Sequence, residues 1–525
     1  MTTQTADSRK TSILLATLVV LFFLANLVTF FDFTEDDAAI GFRYAAHLFD
    51  GKGLTYNPSE RVEGYSNFGY VVLVGIFYKI LTVFGDPRPY MIWVAKLINL
   101  AAGLIALHFC YRFSRDILKK ERYLAVLTTI LVAANGSFMI NVASPMETAT
   151  YTALLTAALY YLTRYISNSQ PITHNPKPSY ILLLPTLPLV LLSLWRIDAP
   201  ILVLALGLGL AFARKFRFRK QDFVILAALV SVFAAYTAFR YVYFGEVFNN
   251  PFHSKVNLSF ASPVDSVYTN IYFSHLGDNA VLFLLLFLLA LAIDHEKYLA
   301  PFLLVSTQWL YLCIIGGDWM TGFRFWAPLT PFICMLLAGV IDVPFSKVSD
   351  GMQKALKTLI LVCLAAWWFN SGRAIYQLGA RTPYSFIHNF GKKSLVEANR
   401  YWATAKWLNE NARKDTVIVV AEGGFIPYLT DLHTIDTYGL CNRKLAHIDG
   451  LRGALGLKLT WDLTQPGSRY IASLKPDILV VGPGPRSDNP DTIWNDWHYA
   501  ATTPSGRMHI YVRTDSDALL SGRKP

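Results

Sequence analysis

Apolar stretches close to 20 residues long recur through the first two-thirds of the chain, at 12–31, 67–84, 91–111, 122–142, 147–165, 179–196, 199–213, 222–243, 279–294, 298–316, 325–343 and 356–371. A helix needs about 20 apolar residues to cross the hydrocarbon core of a bilayer, so this pattern predicts a bundle of spanning helices. After about residue 372 the pattern changes: charges, Asn and Gly return, and no further run is long enough to span. There the spacing predicts an amphipathic helix over 396–414 and short strands at 416–422, 475–483 and 507–513. A segment of about 150 residues is enough for one compact α/β domain. No internal repeat or low-complexity tract interrupts either part.

Composition agrees with a membrane chain. Of 525 residues, 54% are hydrophobic and only 16% charged, against about 25% charged in soluble domains. The net charge of +11 does not point to nucleic acid, because the basic residues punctuate the apolar runs rather than forming a patch. Cys110, Cys313, Cys334 and Cys363 lie in or beside apolar runs and Cys441 stands apart, which gives no disulfide framework and no metal-binding spacing. Arg9 and Lys10 before the first run could belong to a secretory signal, but the run is long and FDFTEDD follows it instead of a small-residue cleavage site. A retained first span is the better reading.

Charge bias then sets the topology. If 67–84 lies along the outer surface or re-enters from it, the basic loops 112–122, 164–178, 214–220, 294–297 and 346–357 all fall inside, together with the N-terminus. The expected fold is therefore a polytopic α-helical membrane protein of about eleven spans. Residues 1–371 would form the transmembrane domain, with an outer loop at 32–90, and 372–525 a C-terminal extracytoplasmic α/β domain. With this topology the polar segments 33–67, 144–148 (SPMET), 195–200 (WRIDAP), 243–255 (YFGEVFNNPFHSK) and 316–325 (GGDWMTGFRF) all emerge on the outer side.

That face carries candidate chemistry. Glu35, Asp36 and Asp37 place three carboxylates at the membrane boundary, where repulsion and partial desolvation should raise at least one pKa. A carboxylate there can act as general base toward a hydroxyl; the plainer alternative is that the acids cap an interfacial helix starting at Asp37. Arg43, Arg61 and Glu63 follow in the same loop, and Arg196, Arg240, His253, Lys255 and Arg324 lie at other outer positions. Such cations can stabilise a departing phosphate or simply snorkel toward headgroups. Asp198 and Asp318 can orient the cations or bind sugar hydroxyls, and structural salt bridges would use them equally well. There is no Walker loop, dinucleotide fingerprint, HExxH or CxxC pair. No metal site is assigned, and a divalent cation is left open.

At these residues the sequence resembles the GT-C superfamily of membrane glycosyltransferases, which use polyprenyl-phosphate sugars, and most of all its bacterial terminal arabinofuranosyltransferase-like branch. The resemblance rests on EDDAAIGFRYAAHLFDGKGLTYNPSERVEGYSNF (35–68), YFGEVFNNPFHSK (243–255), GGDWMTGFRFWAPLTP (316–331) and, more weakly, EGGFIPYLTDLHTIDTYGL (422–440). It implies a catalytic base at Asp36 or Asp37 and an inverting transfer in which an acceptor hydroxyl attacks the anomeric carbon and the lipid phosphate leaves. Some members use a divalent metal and others do not. The expected function is thus transfer of a sugar, arabinofuranose or another pentose or hexose, from a polyprenyl-phosphate donor to an extracytoplasmic glycan, lipid or protein at the bacterial inner membrane. Alternatives are a transporter or flippase for lipid-linked sugars, which would place charges within the spans, and a glycan polymerase or ligase.

Overall fold

The computed structural model describes residues 17–167, 180–255, 285, 287–315, 322–342, 349–381, 400–421, 423–448, 466–481, 497–502 and 508–520. Among the described residues the fold is mostly helical, with one small sheet. Apolar runs become helices with ends close to those expected, among them Met91–Arg112, Thr148–Ser167, Tyr180–Trp195, Ala199–Ala213, Lys220–Phe244 and His295–Ile315. Many of their Leu, Ile, Val and Phe side chains stay exposed, as on a lipid-facing surface. Among the described residues, Arg88–Ile117 and Lys220–Phe244 are long and apolar enough to cross a membrane, by length and composition.

One run differs from the expectation of a single span. The run at 122–142 is two helices, Arg122–Ala134 and Gly136–Ala143, bent by 64°. Asn135 causes the break: its extended backbone leaves the first helix, and its side chain accepts the Phe138 N–H at 2.9 Å to cap the second. The run at 67–84 gives helix Phe68–Leu81 and a short 3-10 turn, Thr82–Phe84. At about 1.5 Å per residue that helix falls short of the roughly 30 Å core.

The chain divides into two compact units, each built from separated segments. The first comprises Met1–Phe33, Ala95–Tyr236 and Ser259–Pro383; the second comprises Thr34–Val94, Thr237–Leu258 and Tyr384–Pro525. Residues 384–525 therefore share a unit with the first loop rather than standing alone.

Within the first unit, Lys96 is buried and donates to the carbonyls of Phe31, Phe33 and Ala143 at 2.7–2.8 Å. An ammonium with three acceptors is tolerable out of water, and this one fixes the chain as it leaves the first apolar helix. A lysine inside an apolar run was a visible signal that the sequence reading passed over.

In the second unit a five-stranded sheet has the order β2–β1–β3–β5–β4, with β1 Val417–Val420, β2 His433–Asp436, β3 Ile478–Val481, β4 Trp497–Thr502 and β5 His509–Arg513. β1 runs parallel to β2 and β3, while β5 is antiparallel to β3 and β4. Val419, Ile435, Leu445, Ile471 and Leu479 form its core. β1, β3 and β5 and helix Arg400–Asn411 fall within the expected elements. The short polar β2 and the bulged β4 (register shift at Tyr499/Ala501) carry too little period-two signal to be read from sequence.

Candidate active site

Helix Asp37–Phe49 begins at the acidic pair, with Asp36 at its N-cap position but making no side-chain cap hydrogen bond and Asp37 in its first turn. The two aspartates have different surroundings. Asp36 is buried; its Oδ2 accepts the Gly424 N–H at 2.7 Å and its Oδ1 the Phe425 N–H at 2.8 Å. It thus sits on the N-terminus of helix Phe425–Thr430, where unsatisfied N–H groups and the helix dipole favour negative charge. Gly424 is needed there, because an added Cβ would lie 1.9 Å from the Asp36 carbonyl oxygen. Asp37 is half-buried, and its Oδ2 is 3.5 Å from Lys255 Nζ.

The rest of the first loop is tied to residues 423–441. Arg43 is fully buried; its Nε donates to the Tyr56 carbonyl at 2.6 Å, Nη2 to that of Leu432 at 2.8 Å, and Nη1 to that of Pro427. Its guanidinium also lies over the Tyr56 ring. Burial lowers its pKa, opposed by the fields of Tyr56 and Asp431. The expectation that Arg43 holds phosphate is corrected: its donors are spent on backbone carbonyls, and it closes the fold. Tyr56 donates to the Gly423 carbonyl at 2.6 Å, and Asn57 pairs with both backbone groups of Thr434 at 2.9 Å.

Asp431 accepts from His47 Nε2 at 2.7 Å and from Lys52, with Arg88 3.6 Å away. Burial opposes its charge, but those hydrogen bonds and the nearby cations outweigh it and hold the carboxyl well below its usual range. Asp436 shows the reverse. Burial pushes it up to about 6 despite N–H donation from Cys441 and Tyr438.

The remaining candidates separate by unit. In the second, Glu63 is buried and accepts from Arg240 Nε at 2.7 Å, so it is one half of an internal ion pair. Arg61 is exposed and stacks over Tyr243 at 4.8 Å. His253 Nε2 lies 3.5 Å from Glu246 Oε2, and its ring lies against that of His447. In the first unit, Arg196 pairs with Glu147 at 2.7 Å and Asp198 at 2.8 Å, all three buried, with the Phe325 ring 4.5 Å from its guanidinium. The segments SPMET, WRIDAP and FRF therefore meet, but Arg196 as a phosphate ligand is corrected to the centre of a closed cluster. Arg324 is half-buried beside Phe325. Asp318 lies outside the described residues. Glu246, His447 and Glu147 were not singled out from sequence; each is an ordinary polar residue until a distant segment meets it.

The fold is one shared with solved structures of low sequence identity. It superposes on ArnT from Cupriavidus metallidurans in the apo state with a TM-score of 0.56 and 12% identity, covering 94% of this chain and 98% of that one. The same protein bound to undecaprenyl phosphate gives 0.55 at 11% identity, covering 96% and 98%. The archaeal oligosaccharyltransferase AglB from Archaeoglobus fulgidus, in complex with an inhibitory peptide and a dolichol-phosphate, gives 0.54 at 12% identity, covering 97% and 75%. Identities this low show the fold alone. A family profile described as a domain of unknown function (DUF8728) matches residues 389–519. No curated protein matches the chain.

Proposed function

We propose that the chain is an inverting glycosyltransferase that moves a sugar from a polyprenyl-phosphate donor to an acceptor hydroxyl, with Asp37 as general base. One observation carries the choice of residue: both oxygens of Asp36 are engaged by helix N–H groups, whereas Asp37 is half-buried beside the Lys255 ammonium. The polyprenyl-phosphate ligands of fold relatives support the donor class. In this reading Asp37 takes the proton of the acceptor hydroxyl as its oxygen bonds to the anomeric carbon. The bond from that carbon to the phosphate oxygen breaks, and Lys255 offsets the charge left on the phosphate.

The resemblance to the arabinofuranosyltransferase-like branch makes a pentofuranose the first donor to test, with glycan, lipid and protein acceptors compared. The same reading places the chain in the bacterial inner membrane with about eleven spans, the N-terminus cytoplasmic and residues 372–525 outside. The test is transfer by the purified protein from lipid-phosphate sugars, with products identified by mass spectrometry. Asp37→Asn is expected to lower the rate about 10²–10⁴-fold with thermal unfolding unchanged, whereas Asp36→Asn lowers the unfolding midpoint. Full transfer by Asp37→Asn would remove it as the base.

A further inference from the structure

A second group of chemically capable side chains lies in the second unit, and the transfer reading leaves it unused. Glu246 follows helix Lys220–Phe244, His253 belongs to helix Asn250–Lys255, and His447 follows helix Arg443–Ala446. Glu246 Oε2 is 3.5 Å from His253 Nε2, and Glu246 Oε1 is 3.7 Å from His447 Nε2. The two imidazole rings are 4.4 Å apart, and one ligand atom from each of the three residues lies within 4.8 Å of the others.

These separations are too long for hydrogen bonds, which lie at about 2.7–3.2 Å. They are close to the spacing of ligands around a metal. Zinc binds imidazole nitrogen and carboxylate oxygen at about 2.0–2.2 Å, so tetrahedral geometry sets neighbouring ligand atoms roughly 3.3 Å apart.

The surrounding contacts orient the group as ligands. His447 Nδ1 is 2.8 Å from the Arg443 carbonyl. A carbonyl only accepts, so Nδ1 carries the proton, and in the neutral ring the lone pair is on Nε2, facing Glu246. A hydrogen bond from the outer nitrogen to a carbonyl is the usual second contact of a metal-bound histidine. In that neutral form the imidazole lone pair and the carboxylate oxygen facing it repel unless a cation lies between them. Arg443 Nε, 3.2 Å from Glu246 Oε1, steadies the carboxylate. Its charge opposes a dication, so the three ligands must outweigh it.

We propose that Glu246, His253 and His447 form a zinc site whose fourth position is open to water. Two imidazoles and one carboxylate are a zinc donor set; Glu246 and His253 are partly buried and His447 is exposed, so an ion can enter from solvent. Zinc would join the 443–447 turn to the helix that carries Lys255, two residues beyond His253. The site does not depend on the transfer reading and is tested without substrate.

The test uses the full chain in detergent, stripped with chelator and titrated with zinc chloride. One equivalent of zinc is expected to bind, with a higher thermal midpoint. Glu246→Gln, His253→Gln and His447→Ala should each weaken binding more than about tenfold while keeping the unfolding midpoint of the metal-free parent. His447→Cys, which restores a zinc ligand, should recover binding, and with cobalt should add a thiolate charge-transfer band. The proposal fails if the parent shows no saturable binding, if the three variants bind as it does, or if His447→Cys does not recover binding and lacks the cobalt band.

Discussion

Two clusters of charge, one in each unit, are built on different plans. In the first unit Glu147, Arg196 and Asp198 are nearly inaccessible, and carboxylates flank the guanidinium at 2.7 and 2.8 Å. In the second, Asp36 and Arg43 are equally buried, but Asp37 and Lys255 remain partly open at 20% and 35% side-chain exposure. A closed ion cluster in a low-dielectric interior has little capacity to exchange partners, because removing one charge strands another. A half-open carboxylate beside an ammonium can exchange its partner for a hydroxyl or a phosphate. Burial, more than the number of charged residues, therefore separates a structural cluster from a candidate site.

The comparison can be broken experimentally. The largest stability effect should come from Glu147→Gln, which takes a carboxylate from buried Arg196 and is expected to cost about 3 kcal/mol, read as a lower midpoint of thermal unfolding. A neutral result would show that the first cluster is not closed. Next, Gly424→Ala forces a methyl group into Asp36 and should cost about 1–3 kcal/mol. Protease sensitivity around residue 424 would report it.

A pH series resolves the two perturbed carboxylates, which act with opposite sign. Asp431 titrates lower in the folded chain than in the unfolded one, so its contribution is present above about pH 4 and is lost as pH falls further. Asp436 is raised to about 6, so its contribution is present below about pH 4 and is lost as pH rises through about 6. Unfolding midpoints of Asp431→Asn should accordingly lie below the parent at neutral pH and converge with it in acid. The smallest effect belongs to Arg61→Ala, whose exposed stacking on Tyr243 is worth at most about 1 kcal/mol. A larger loss of stability would show that the loop is held from its exposed side as well.

The motif EGGFIPYLTDLHTIDTYGL was legible as a segment but not as a partner. Its Gly424, Pro427, Asp431 and Thr434 gain their roles from Asp36, Arg43, His47 and Asn57, nearly four hundred residues earlier. Arg43 read as a phosphate ligand because a cation in a polar loop is ambiguous until its burial is known. Asn135 was the converse case, since its capping chemistry is local even though the bend lay within an apolar run.

Hydropathy and charge spacing alone determined the apolar helices, the helix start at Asp37 and three of the strands, because each depends on neighbours within one or two turns. Tertiary structure decided what the charges do. It seats Asp36 on a helix N-terminus, spends Arg43 on carbonyls, encloses Arg196 and leaves Asp37 beside Lys255. The physical reason is that the state of a charge depends on desolvation and on partners in space, and neither is encoded at the position of the charge itself.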